Sequence, residues 1–147
     1  PPPLSGPTDS MQTALCALVT VMLADGAIRP GERAFVEGFA ERAGLPRPTE
    51  LRAWRPTELS PPARPALVLG AMIDLALIDR ERDGTELQVI REFARQWGEP
   101  IEQVEARFRR VAERDDPPMI RLWRSLRRLL VVEADAGEPA RPRLSRG

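Results

Sequence analysis

One acidic motif occurs twice in the chain, and this repetition constrains the fold more than any other feature. The first copy, Asp25-Gly-Ala-Ile-Arg-Pro-Gly-Glu32, lies between two segments with apolar residues at helical spacing. The second copy, Asp79-Arg-Glu-Arg-Asp-Gly-Thr-Glu86, begins 54 positions later and repeats the separation between the first and last acids. The same offset relates five positions in each of the segments that follow: Phe35, Val36, Phe39, Ala40 and Gly44 match Val89, Ile90, Phe93, Ala94 and Gly98. So regular an offset predicts two copies of a helix–loop–helix unit.

Apolar residues recur at spacings of three and four along most of the chain, and no segment alternates with the period of a strand. The sequence therefore predicts an all-α fold of about seven helices, in which the two pseudo-symmetric repeats pack as a compact bundle. We expect a proline-rich linker over 1–8, a helical domain over 9–133 and a flexible tail over 134–147. The predicted helices span residues 8–24, 30–43, 63–79, 83–97, 100–111 and 116–132, with a short helix over 49–54.

Three finer expectations concern how these helices pack. The first helix is apolar almost all round, which predicts a central, well-buried position. In the helix over 63–79, Asp74 falls at the edge of the apolar face, where an arginine can pair with it. In the proline-rich connection before this helix, Trp54 is expected to anchor the chain to the core. In the last helix the expected buried stripe consists of Ile120, Trp123, Leu126 and Leu130.

The residue types present narrow the possible chemistry. The chain has no His, no Tyr and no Lys, so all 22 basic residues are Arg, and the formal net charge is zero. Catalytic groups are therefore limited to carboxylates and the thiol of Cys16. This single cysteine lies in an apolar helical segment, which favours a buried structural thiol over a nucleophile and excludes an internal disulfide or a cysteine-based zinc site. No apolar run reaches membrane-spanning length and no signal sequence opens the chain, so we expect a cytoplasmic location.

Each copy of the acidic motif contains part of a calcium-binding loop. Residues 25–32 match the second half of an EF-hand loop, but its first ligand positions would be Val21 and Leu23, which carry no oxygen. The second copy has the early acids and the glycine, but Ile90 occupies the final ligand position. Neither loop alone is therefore expected to hold calcium at the affinity of a sensor.

Two interpretations of the acidic motifs remain open. In the first, the two copies face each other and pool Asp25, Glu32, Asp79 and Glu86 into one divalent-metal site, because four converging carboxylates require a cation. In the second, Glu32 and Glu86 interact with helix N-termini, while the two aspartates shape the loops or pair with nearby arginines. The second interpretation is favoured on the residues alone, since acids at helix starts are common and need no metal.

The segment Ala24-Asp-Gly-Ala-Ile-x-x-x-Glu32, together with its half-copy at 79–86, resembles the tellurite-resistance TerB-like family over roughly residues 10–132. The resemblance implies an all-helical domain with internal two-fold pseudo-symmetry. It also implies metal-coordinating acids, here Asp25, Glu32, Asp79 and Glu86, and a role in bacterial stress response or in membrane-associated complexes. The second copy departs from the family pattern, because Arg80-Glu81-Arg82 lies where a glycine more often follows the aspartate directly.

The leading functional prediction is a non-catalytic interaction or sensing module that binds other proteins of such a system, with a divalent metal as a possible cofactor. The alternative is a helical bundle that contacts nucleic acid through Arg121, Arg124, Arg127 and Arg128 of the last helix and through the Arg-rich tail. A carboxylate-based metal hydrolase ranks lowest, because these loops supply few ligands. A homodimer is compatible with the sequence.

Overall fold

The computed structural model describes residues 7–24, 26, 30–46, 51–77, 85–113 and 118–137. These segments contain six α-helices and one short 3₁₀ helix, and they contain no strand. The α-helices are α1 (Pro7–Met22), α2 (Pro30–Arg42), α3 (Pro65–Ala76), α4 (Thr85–Gln96), α5 (Ile101–Ala112) and α6 (Pro118–Gly137). The all-α prediction is confirmed, and α6 continues beyond its predicted end near residue 132.

The ends of the helices follow the offset of the repeat. The helix α1 ends at Met22 and α3 ends at Ala76, while α2 ends at Arg42 and α4 ends at Gln96. In both pairs the second end lies 54 residues after the first, which is the offset of the acidic motifs. The units α1–α2 and α3–α4 are therefore the two predicted helix–loop–helix copies.

The two repeats also end with the same backbone geometry. Gly44 after α2 and Gly98 after α4 have φ angles of 74° and 78°, in the left-handed region that glycine adopts without strain. The N–H of the next residue then donates to the carbonyl five residues back, at 2.9 Å for Leu45 to Ala40 and 2.8 Å for Glu99 to Ala94. This pattern is the Schellman motif, which satisfies carbonyls at the end of a helix.

The most central helix is α3, which packs against α1, α4, α5 and α6. Every residue from Val68 to Leu77 is buried, so this helix has no exposed face over that length. The helix α1 is also well buried, as predicted, and it contacts α2, α3, α4 and α6. The hydrophobic core therefore lies between the first helices of the two repeats, and the remaining helices surround it.

A buried polar cluster joins α3 to α6. Ser125 of α6 donates a hydrogen bond from its hydroxyl to the Asp74 carboxylate of α3. The Arg121 Nε lies 4.0 Å from the other Asp74 oxygen, and all three side chains are buried. The expectation that Asp74 pairs with an arginine is confirmed, with both partners inside the bundle rather than at its edge.

This cluster sets the rotation of α6 about its own axis. Because Arg121 and Ser125 face α3, the apolar residues beside them are buried, namely Leu122, Leu126 and Leu129. The expected stripe is therefore wrong at Ile120, which is 53% exposed, while Leu126 is buried as predicted. Trp123 and Leu130, the other two members, are half-buried and pack against the core. Spacing alone favoured Ile120 because a pattern of apolar residues carries no information about a buried charge on another helix.

The connection between the repeats is held to α1 by side-chain hydroxyls. Thr13 Oγ1 donates to the Ser60 carbonyl at 2.9 Å, while Ser10 Oγ and Thr20 Oγ1 accept the N–H groups of Ala63 and Trp54, each at 2.9 Å. Trp54 is half-buried. The connection is thus anchored to α1 at Trp54 through the backbone N–H of this residue, while its indole stacks with the Arg52 guanidinium, 3.7 Å from the ring centroid.

The short helix in this connection lies later than predicted. Residues 51–55 are not helical, and the 3₁₀ helix spans Pro56–Glu58, so the prediction of a helix over 49–54 is wrong in its described part. The proline begins the turn, and the Glu58 carboxylate accepts the Arg55 N–H at 2.8 Å and the Arg52 guanidinium at 3.1 Å. The Arg55 N–H, followed by Arg52, holds the pKa of Glu58 below its ordinary value.

The Asp74 cluster generates a prediction about stability. Replacing Asp74 with Ala removes the carboxylate that faces Arg121 in the core, so we expect a loss of about 3 kcal/mol in the free energy of unfolding. Urea unfolding followed by circular dichroism measures this loss. The control is Glu37→Ala, which breaks the exposed Arg33–Glu37 pair (3.5 Å) and is expected to cost less than about 0.5 kcal/mol. Equal effects of the two substitutions would contradict the structural role of Asp74.

Candidate functional site

The glutamates that end the two acidic motifs occupy equivalent positions. Glu32 lies in the first turn of α2 and Glu86 in the first turn of α4. Both side chains are buried, with exposed fractions of 2% and 4%. Acids that only interact with a helix N-terminus usually remain in solvent, so the burial of both residues is the main finding at these loops.

Burying these two carboxylates costs free energy of solvation. A carboxylate removed from water is destabilised unless hydrogen bonds or positive charge compensate for the lost solvation. A helix N-terminus supplies only about 0.3–1 kcal/mol at exposed sites, which is less than the cost of burying an ion. The surroundings of Glu32 and Glu86 must therefore supply further hydrogen-bond donors or positive charge.

The other two predicted ligands, Asp25 and Asp79, lie outside the described residues. Among the residues that the structure describes, no three acidic or cysteine side chains form a group that could hold a metal ion. The four-carboxylate site thus stays a prediction, and only two of its residues, Glu32 and Glu86, lie in the described part of the chain.

The thiol of Cys16 is not poised for nucleophilic chemistry. Cys16 lies in α1 and is half-buried. Burial raises the pKa of this thiol to about 11, against a smaller opposing effect of Arg52. The group is therefore protonated at neutral pH, whereas reactive cysteines have lowered pKa values. Its environment agrees with the predicted structural role.

The four arginines of the nucleic-acid alternative do not share one surface. Arg124, Arg127 and Arg128 are exposed on α6, but Arg121 is 6% exposed and faces Asp74 in the core. A phosphate on the surface cannot be contacted by a guanidinium held in this position. The exposed basic face of α6 therefore consists of three arginines rather than four.

A groove of about 360 Å³ runs along this basic face, lined by Ile120, Trp123, Arg124 and Arg127. Trp123, which was predicted to lie in the buried stripe of α6, is half-buried: it packs against the core and also lines the groove. The spacing of apolar residues does not show whether Trp123 faces the core or the groove, because the rotation of α6 depends on Asp74.

Contacts with α2 hold the Trp123 indole in place. Its ring meets Phe35 edge-on, with centroids 5.2 Å apart, and the Arg42 guanidinium lies 4.2 Å from its centroid. Gly38 makes this approach possible, since a Cβ at that position would lie 2.8 Å from the Trp123 Cη2. One wall of the groove is thus an aromatic ring whose position is fixed by contacts with α2.

A second cavity, of about 320 Å³, opens between α3 and α5. Leu69, Ile73 and Val104 line its apolar part, and Arg107 and Arg110 lie among its other lining residues. The Arg107 guanidinium lies directly against Gly70, where a Cβ would approach its terminal nitrogen to 2.8 Å. The lining of this cavity combines apolar, basic and acidic residues, the last being Glu99, but it contains no residue singled out by the acidic repeat.

Comparison of the chain with protein-family models, curated proteins and solved structures finds no match. Within the segments described by the structure, no helix is both long enough and apolar enough to cross a membrane.

The raised pKa of Cys16 predicts slow thiol chemistry. A pKa raised by two units lowers the thiolate fraction at pH 8 about a hundredfold relative to an ordinary cysteine. We therefore expect modification by a disulfide reagent at pH 8 to be slower than that of a small-molecule thiol by about this factor, and to accelerate up to about pH 11. The reaction is followed by absorbance, with a Cys16→Ala protein as the blank. A rate equal to that of the small thiol would show that the group is not buried.

Proposed function

We propose that this domain is a non-catalytic interaction and sensing module whose acidic repeat loops bind a divalent cation. The observation that carries the proposal is the burial of Glu32 and Glu86 at equivalent positions of the two repeats. Two buried carboxylates related by the internal repeat favour a function common to both loops, and a cation is the ligand that such oxygen donors prefer. Cation binding would couple the loops to the helices that begin with these glutamates.

The residue types of the chain support a non-catalytic role. With no His, Lys or Tyr in the sequence, proton transfer near neutral pH would depend on carboxylates alone. The only thiol has a pKa raised to about 11, which disfavours covalent catalysis. A module that binds partners and responds to an ion needs neither group.

The resemblance of the acidic motif to the tellurite-resistance TerB-like family supports a wider assignment. On that basis the module would act in the cytoplasm, within a bacterial stress-response system or at a membrane-associated complex, and its partners would be other proteins. The shared repeat of α1–α2 and α3–α4 supports this assignment, because the resemblance implies internal pseudo-symmetry.

Thermal melts in the presence of Mg²⁺, Ca²⁺, Mn²⁺ or Zn²⁺ test the proposal. An ion that binds the folded state at about a hundredfold excess over its Kd adds roughly 2.7 kcal/mol, so the midpoint should rise by several degrees relative to EDTA. Glu32→Gln and Glu86→Gln should each erase the ion-induced rise. The comparison is made within each variant, so a change in its stability without metal does not affect the result.

The matched control is Glu92→Gln, which makes the same change at an exposed position of α4. It should keep the full ion-induced rise in the midpoint. If no ion shifts the wild-type midpoint, or if Glu92→Gln removes the shift as completely as Glu86→Gln does, the proposed cation site is wrong.

A further inference from the structure

The outer face of α6 carries the large exposed apolar side chains of the described structure. Ile120 is 53% exposed and Val131 is 56% exposed, and among the residues whose side-chain burial the structure describes, no other large hydrophobic residue is comparably exposed. The two residues are eleven positions apart, which is within roughly 20° of three full helical turns. They therefore lie on the same side of the helix, about 16 Å apart along its axis.

Basic side chains occupy the space between these two apolar residues. Arg124 and Arg127 are exposed, and helical geometry places both of them with Ile120 and Val131 in an arc of about 60°. Arg128 is exposed beside this arc. From one end to the other, the face thus presents an apolar residue, two arginines and a second apolar residue. We call these four residues the α6 stripe.

The groove beside the α6 stripe has the same mixed character. It is lined by Ile120, Trp123, Arg124 and Arg127, so its lining contains no acidic side chain. The Arg42 guanidinium over the Trp123 ring adds a further positive charge at the α2 side. A ligand seated here would meet an aromatic wall, an aliphatic side chain and several cations, and would need apolar and acidic groups of its own.

We propose that the α6 stripe is a docking surface for an acidic amphipathic helix of another protein. Such a helix would set aliphatic side chains against Ile120 and Val131 and carboxylates against Arg124 and Arg127. This is the helix-in-groove mode of recognition, with charge complementarity fixing the register. The proposal rests on the interaction role proposed above and supplies the chemistry of the partner, and it does not depend on the cation.

A second copy of the chain fits this surface poorly. A two-fold contact through the stripe would place the central arginines of one copy against those of the other, and like charges at an interface are unfavourable. Nucleic acid also fits poorly, because the stripe has apolar ends, Arg121 is buried and the net charge of the chain is zero. An acidic helix satisfies both the apolar and the basic parts.

A synthetic peptide tests the docking surface. The probe is a fluorescein-labelled helical peptide of about 18 residues, with Leu eleven positions apart on one face and Glu between them, and its binding is measured by fluorescence anisotropy in EDTA. A peptide with Gln in place of each Glu serves as the charge control. We expect micromolar binding of the acidic peptide and at least tenfold weaker binding of the neutral peptide, a difference of about 1.4 kcal/mol.

Substitutions in the protein locate the contact. Arg127→Glu should weaken the acidic peptide at least tenfold, and Ile120→Ser should weaken it severalfold. The matched control is Arg109→Glu, the same charge change at an exposed position of α5, which should alter binding less than twofold. A peptide with Lys in place of Glu should bind Arg127→Glu more tightly than it binds the wild type, and a misfolded variant would not show this rescue.

Several outcomes would overturn the proposal. The first two are no binding at 1 mM peptide and an equal loss of peptide affinity in Arg109→Glu and Arg127→Glu. The others are a salt-dependent affinity for duplex DNA that Arg127→Glu removes, and a dimer in sedimentation that Ile120→Ser dissociates. Peptide binding in EDTA by a protein that shows no ion-induced rise in melting midpoint would reject the cation site and retain the docking surface. An ion-induced rise in the melting midpoint without peptide binding would retain the cation site and reject the docking surface.

Discussion

The contact of Asp74 with Ser125 and Arg121 determines how the last helix sits on the bundle. Asp74 lies in the part of α3 that is buried, from Val68 onwards, so its carboxylate must find donors inside the protein. Ser125 of α6 donates a hydrogen bond to this carboxylate and Arg121 of α6 places its positive charge beside it, which fixes the side of α6 that faces the core. The opposite side, with its exposed apolar residues and arginines, faces solvent as a consequence. A polar contact in the core thus determines which residues of α6 are exposed on the surface.

The internal repeat provides the second level of organisation. The repeats α1–α2 and α3–α4 end at equivalent residues, and the second helix of each closes with the same glycine-based hydrogen-bond pattern. This equivalence includes the burial of Glu32 and Glu86, which are placed by the first turns of α2 and α4. Because the same local structure is used twice, we expect the two buried glutamates to have equivalent roles. The cation proposal follows from this duplication rather than from either loop alone.

The helices, their order and the repeat were predictable because they depend on local signals. Apolar spacing, prolines at helix starts and the glycines at 44 and 98 each act over a few residues. Contacts between distant segments were not predictable from such signals. The spacing of Ile120 favoured burial, but a carboxylate 46 positions earlier in the chain decides its orientation. The hydroxyls of Ser10, Thr13 and Thr20 likewise meet partners 34 to 53 residues away, and the approach of Trp123 depends on the missing side chain of Gly38. At the candidate site, the sequence identified the two glutamates but not their burial.

The proposed cation site requires the two repeats to act together on one ion. The stoichiometry of binding tests it most directly, measured by native mass spectrometry or titration calorimetry with the ion that raises the melting midpoint. We expect one ion for each chain, and we expect Glu32→Gln and Glu86→Gln each to abolish binding. Two ions for each chain, with each substitution removing only one, would show that the loops bind independently. No bound ion at all would show that the buried glutamates are compensated by the protein alone.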